Sequence, residues 1–238
     1  QSVHGLVFRH AWANRLVGEA CGAVLLFPRG TYRAYHVEHH ARTATDDDPE
    51  GRPIAFGSRL ELCLLVLGGV YTVGQLWWFT ARTVVGRPPR WVRTPAARRQ
   101  IVVSALVVAV FLAGVVVAFA AAPRVILHLW LVPYLVAVFV VYPLVFFPEH
   151  SYGAPGPALE NSRTTTSNRP LSWVFWNNNF HAIHHLLPMT VHQHAPALSA
   201  AVRDQQPGDW WNPGYLHYTW SVARRLPTFP ARRPRDEV

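Results

Sequence analysis

The chain has 238 residues, half of them hydrophobic and only 15% charged, against about 25% charged in soluble domains, so a disordered chain is excluded. Twenty-two basic side chains, all of them arginine, against 13 acidic ones give a formal charge of +9. The arginines gather at the ends of apolar runs and in the C-terminal tail, not in a stripe interleaved with aromatics, which favours a membrane over nucleic acid. Cys21 and Cys63 are too few for a disulfide framework and lack zinc-finger spacing.

Gln1 to Arg9 show no secretory or transit signal. Leu16 to Phe27 is apolar but short, contains Glu19 and stops at Pro28, which predicts an interfacial or buried helix rather than a span. Three longer stretches follow: Leu62 to Ala81, broken by Gly68 and Gly69; Ile101 to Ala122, without a charge; and Val125 to Phe147, uncharged, with His128 near its start and Pro133 and Pro143 inside it. Each approaches the roughly 20 apolar residues that a spanning helix needs. Arg82, Arg87, Arg90, Arg93, Arg98 and Arg99 separate the first from the second, whereas Arg124 alone separates the second from the third. By the positive-inside rule the arginine-rich loop is cytoplasmic and the last two stretches form a transmembrane hairpin. Trp77, Trp78, Trp91, Trp173, Trp176, Trp210 and Trp211 suit an interfacial aromatic belt.

Thirteen histidines are the anomaly. Two sets share the form H-x-x-H-H: His36, His39 and His40, and His181, His184 and His185. Positions i, i+3 and i+4 share a helix face, so each set is expected to turn three imidazoles toward one point. Imidazole suits Zn, Cu, Fe and Ni, so the donors alone leave the metal open. If both sets serve one metal centre, an even number of crossings separates His40 from His150. Leu62 to Ala81, with its glycine pair and Gln75, is then expected to enter and leave on one face as a re-entrant or interfacial hairpin.

With these residues in view, the sequence resembles the membrane fatty acid desaturase superfamily, which also holds hydroxylases and carotenoid oxygenases. Val3-His4-Gly5 is similar to the end of the first histidine box, H-x-x-x-H-G, whose leading histidine would fall one position before Gln1. The resemblance therefore implies an N-terminally truncated chain without that ligand or the hairpin upstream of it. His36, His39 and His40, followed by Thr43 and Asp48-Pro49-Glu50, resemble the second box. Asn177 to Pro188, with His181, His184 and His185, is similar to the third, and Glu149-His150 and Arg163-Thr164 resemble the family's E-H and R-T elements. Glu38, and Ile183 where glutamate is common, are departures.

The resemblance implies an all-α integral membrane protein whose transmembrane helices carry a cytoplasmic helical cap with a histidine-rich di-iron site. Two irons would be held by His4, His36, His39, His40, His150, His181, His184 and His185, with O₂ as co-substrate. Asn178, Asn179 and Glu149 would support them, although asparagine is also a favoured helix N-cap. His10, His128, His192, His194 and His217 have no spaced partner and are expected at surface or supporting positions. One domain is expected over 1–238, with boxes one and two in 1–59, membrane segments in 60–147, box three in 148–202 and a cytoplasmic tail in 203–238.

The expected activity is O₂-dependent desaturation of a lipid acyl chain in a membrane, and the arginine-only basic usage, which a GC-rich genome would give, suits a bacterial inner membrane. Electrons would come from a separate ferredoxin or cytochrome, since neither an H-P-G-G haem element nor a cysteine set for an iron–sulfur cluster is present. The rivals are a hydroxylase or ketolase of fatty acid, alkane or carotenoid on the same scaffold, and a non-enzymatic membrane metal-binding protein. The last predicts ionisable residues within the spans, and only His128 approaches that. No nucleic-acid-binding module is recognised.

Overall fold

A computed structural model describes residues 2–51, 55–152, 156–206 and 211–226; Trp210 and the arginine-rich end, 227–238, lie outside the described residues. Backbone contacts divide the chain into two units, Gln1–Ala41 with Leu67–Val140, and Arg42–Val66 with Val141–Val238. Among the described residues the regular structure is helical apart from one pair of two-residue strands, the all-α class that the apolar runs predict.

The short apolar run near the N-terminus lies in α1 (Ala11–Val24), and the first H-x-x-H-H set lies in α2 (Arg29–Arg42). Among the described residues three helical runs are long and apolar enough to cross a membrane: Arg59–Val84, Pro95–Ala121 and Pro123–His150. The first consists of α3 (Arg59–Leu64), a single 3-10 turn at Leu65–Leu67, and α4 (Gly68–Val84). No chain reversal occurs along it, which corrects the hairpin expected for Leu62 to Ala81; the even number of crossings that one metal centre requires then asks this run to lie along the interface as a helix. Gly69 has another reason: a Cβ there would run into the Val138 carbonyl oxygen, so glycine lets α4 approach the third run within the first unit.

The second run is one helix, α5 (Pro95–Ala121), with Pro95 opening it and the Thr94 side chain accepting from the Ala97 N–H. Both features favour a helix start. The third run alternates α6 (Pro123–Ile126), α7 (Val132–Val136) and α8 (Tyr142–His150) with π-helical turns at Leu127–Leu131 and Ala137–Val141. Pro133 and Pro143 each stand two positions after the end of such a turn. Proline lacks an N–H and its ring strikes the carbonyl four residues back; a wider turn ahead of it relieves the clash and lets the run continue. Val110, Val117 and Leu129 stay largely exposed, as side chains that face acyl chains do.

Within the first unit α4 holds α2 through polar contacts. The Thr31 and Thr80 hydroxyls lie 2.6 Å apart and the Tyr35 hydroxyl donates to Gln75 Oε1 at 3.0 Å. At the start of α2 the Gly30 N–H donates to Ser104 Oγ, whose hydroxyl donates to Glu19 Oε1 at 2.8 Å. These bonds fix a helix whose own sequence is too polar to pack by hydrophobic burial alone.

The second unit is assembled from short helices: α3, α8, α9 (Ala158–Asn161), α10 (Arg169–Val174), α11 (His181–Leu186), α12 (Ala195–Ala201) and α13 (Tyr215–Arg225). Strands β1 (Thr164–Thr165) and β2 (Trp211–Asn212) pair in parallel. Its core joins Phe56, Phe147, Tyr218, Val222 and Leu226, and the Ser151 and Tyr218 hydroxyls bond at 2.7 Å inside it.

Of the tryptophans assigned to a belt, Trp78, Trp173 and Trp176 are exposed. Trp77 instead donates its indole N–H to the Leu26 carbonyl, Trp91 packs edge-on against Tyr35 and Phe79, and the Arg203 guanidinium lies over Trp211. Those three are internal packing, a role that their sequence context does not separate from a belt.

Candidate metal centre

The first unit builds a three-histidine cluster from two segments. His4 sits in a tight turn closed by the Gly5 N–H bonding to Ser2 O, with Gly5 at φ +78°. Arg33 Nε donates to Val3 O at 3.1 Å, tying the turn to α2. Asn14 accepts from the Val7 and Phe8 N–H groups and donates to Phe8 O at 2.6 Å, fixing the chain that leads out of the turn. The His4 ring lies 5.1 Å from His36 and 5.3 Å from His40, centroid to centroid. His36 and His40 lie 4.5 Å apart, with their Nε2 atoms at 3.1 Å. Tyr32 stacks on His36 one turn back. Burial, with His39 and His4 adding to it, pushes the His40 pKa down to about 3, which keeps it an uncharged donor.

The second unit repeats the construction. His150, at the end of α8, lies 4.7 Å from His181 and 4.6 Å from His185, and those two lie 4.7 Å apart. The Nε2 of His181 stands 2.9 Å from that of His150 and 3.1 Å from that of His185. His150 Nδ1 meets the Asn161 carbonyl at 3.2 Å. A carbonyl only accepts, so His150 is protonated on Nδ1 and carries its lone pair on Nε2, toward the cluster. Thr43 Oγ1 meets His185 Nδ1 at 3.2 Å. The Arg163-Thr164 element holds the segments together: the Arg163 N–H donates to Glu149 O, its Nε to Ser151 O, and its carbonyl accepts from the Ala182 N–H.

The two clusters share one geometry, and it differs from three imidazoles of one set at one point. In each H-x-x-H-H set the first and last rings converge and a histidine from elsewhere in the same unit completes the group. The middle rings stand aside: His39 is 6.1 Å from His36 and 5.9 Å from His40, and His184 is 5.6 Å from His181 and 5.8 Å from His185. Helix geometry explains the split, since i+4 lies about 40° from i, whereas i+3 lies about 60° away on the other side. All eight sequence-identified histidines are thus brought into or beside the clusters.

The supporting residues resolve as well. Asn178 Nδ2 donates to Glu149 Oε1 at 2.6 Å, and that oxygen stands 3.6 Å from His181 Nδ1. Asn179 donates to Thr165 O, inside the unit. Neither asparagine caps α11, whose N-cap is Phe180 and uses no side chain, so the capping alternative is set aside. Glu38 pairs with Arg93 at 2.9 Å on the surface.

His10, His128, His194 and His217 are exposed, as expected. His192 takes the supporting alternative: it is buried and its Nε2 lies 3.3 Å from His184 Nδ1. Burial pushes its pKa down to about 4. Its signal in the sequence is faint, a lone histidine eight positions after His184 with no spacing rule to mark it.

The donor set fits a transition metal. Nitrogen donors about 2.1 Å from one cation at near right angles lie about 3 Å apart, and the Nε2 pairs stand at 2.9 and 3.1 Å. The ligand atoms offered by His4, His36 and His40 lie within 4.8 Å of one another, as do those of His150 and His185. The rings are buried or partly so, and those of His150 and His185 meet hydrogen-bond partners on their far sides, the arrangement that orients histidine toward a metal.

A family model described as fatty acid desaturase matches residues 1–217. No curated protein and no solved structure matches the chain.

Proposed function

From the chain's membership of the fatty acid desaturase family, which makes it a membrane oxidoreductase of the desaturase and hydroxylase type, we propose that it desaturates a lipid acyl chain. Two neighbouring methylene groups lose one hydrogen each, and O₂ takes up these two hydrogens, two electrons and two protons to leave as two waters. A separate ferredoxin or cytochrome supplies the electrons.

One observation carries the reading, the pair of three-imidazole clusters, His4 with His36 and His40, and His150 with His181 and His185. Two iron ions would be held by these six together with His39 and His184. Breaking an unactivated C–H bond is beyond any side chain, and iron charged with O₂ supplies that oxidising power when bound. The chain's own residues do the rest. Asn161 holds the proton on His150 Nδ1, Thr43 meets the far nitrogen of His185, and Asn178 holds Glu149 beside His181. Neutral imidazoles leave the metal's charge for O₂ rather than spending it on anionic ligands. The arginine-rich loop argues for a cytoplasmic site, and the arginine-only basic usage, which a GC-rich genome would give, suits a bacterial inner membrane.

The test is metal analysis of the purified protein beside lipid profiling of the expressing cells. About two irons per chain and a new unsaturated acyl species are expected, both lost in His181→Ala and His36→Ala. A hydroxylated or keto product would move the activity to the rival oxygenases, and a protein without iron that still forms the double bond would overturn the metal assignment.

A further inference from the structure

His192 belongs to neither histidine set, yet it is tied on both sides. Its Nδ1 lies 3.0 Å from the Trp176 carbonyl and its Nε2 lies 3.3 Å from His184 Nδ1, with the two rings edge to face at 5.0 Å. Its own carbonyl accepts from Asn177 Nδ2 at 3.1 Å. The partners of this clasp, Trp176 and Asn177, are consecutive non-glycine residues at φ +54° and +57°, a conformation that persists only where the surroundings hold it. The ring is therefore fixed in place before any metal arrives.

Hydrogen-bond logic then sets the protons. The Trp176 carbonyl can only accept, so His192 carries its proton on Nδ1, and the neutral ring leaves Nε2 as an acceptor. His184 Nδ1 must be the donor in their bond. A neutral imidazole protonated on Nδ1 has its lone pair on Nε2, which is the form that coordinates a metal. We propose that His192 is a positioning residue that locks His184 in the Nδ1-protonated tautomer and so presents the His184 Nε2 lone pair to a metal ion. This rests on the reading of His184 as a metal ligand.

Two substitutions separate this role from simple support of the turn. His192→Asn places an amide N–H where Nδ1 donates to Trp176 and keeps the clasp, but removes the acceptor for His184. His192→Gln places a carbonyl oxygen near the Nε2 position and keeps that acceptor. Cobalt(II), titrated into metal-free protein and followed by its visible absorption, reads metal affinity without turnover, and thermal melting of the metal-free forms controls for folding. His192→Asn is expected to bind one of its metal ions about 10- to 100-fold more weakly at an unchanged melting temperature, and His192→Gln to stay within a few-fold of wild type. Wild-type affinity at both sites in His192→Asn overturns the proposal. The tautomer is also read directly, by ¹⁵N spectra of histidine-labelled, metal-free wild type: His184 protonated on Nδ1 is expected, and His184 protonated on Nε2 overturns the proposal even if every variant misfolds. A wild-type protein that takes up no metal would overturn the functional reading, while the ¹⁵N spectra would still decide the tautomer.

Discussion

Glu149 Oε1 stands 3.6 Å from His181 Nδ1, with both side chains almost wholly buried, and takes a 2.6 Å hydrogen bond from Asn178. The distance is too long for a hydrogen bond, but a carboxylate there favours a cation on the far side of the ring. Glu149→Gln keeps the shape and removes the charge. Because the substituted amide keeps an oxygen to accept from Asn178, the metal-free form should melt as wild type does. The metal-loaded form should hold its metal about tenfold more weakly, the usual cost of losing such a partner. Equal affinities in a metal titration would show that Glu149 only fills space.

Gly69 and Gly74 lie in one helix and give opposite expectations. A Cβ at Gly69 meets the Val138 carbonyl, a backbone atom that cannot swing aside, whereas at Gly74 it meets nothing within 4 Å. Gly69→Ala should cost about 1–3 kcal/mol, as overpacking does. Gly74→Ala should add roughly 0.5–1 kcal/mol through the lower entropy of the unfolded chain. Unfolding midpoints in one detergent compare them, and a destabilised Gly74→Ala would refute the distinction.

Thr31 and Thr80 test whether α4 holds the histidine-bearing α2. Thr80 donates its hydroxyl proton to Leu76 O at 2.7 Å, so across the 2.6 Å contact Thr31 is the donor. Thr80→Val leaves the fully buried Thr31 hydroxyl without its acceptor and should cost about 1–3 kcal/mol. Thr31→Val with Thr80→Val should recover much of that loss, since paired apolar replacements of similar shape are nearly neutral. A double mutant as unstable as the sum of its parts would place the seam's energy elsewhere.

How far the sequence carries depends on how local the cause is. Charge-free apolar runs impose helices by themselves, and the spacing of His36, His39 and His40 marks them as a set before any fold is known. What spacing does not contain is the angular split of i+3 from i+4, which sends His39 and His184 aside and leaves room for His4 and His150. Gly68 and Gly69 read locally as a break; the cause at Gly69 is a carbonyl some 70 positions away. His192 is legible only through Trp176 and His184, contacts made by a left-handed turn that no sequence pattern announces.

Tyr215 carries a prediction about pH. Its hydroxyl is buried and finds no hydrogen-bond partner among the described residues; burial first, and then Glu149, raises its pKa above the ordinary value, which is about 10. The folded chain therefore keeps this proton at a pH where the unfolded chain has released it. Stability from this group is complete below about pH 10 and falls as pH rises toward the folded-state value. Tyr215→Phe removes both the unpaired hydroxyl and the titration, so it should gain about 1 kcal/mol near neutral pH. The gain should widen between about pH 10 and 11, because only the wild type weakens there through this group. Melting curves of the two proteins across that range decide the matter, and curves that stay parallel would show that the hydroxyl reaches solvent on its own.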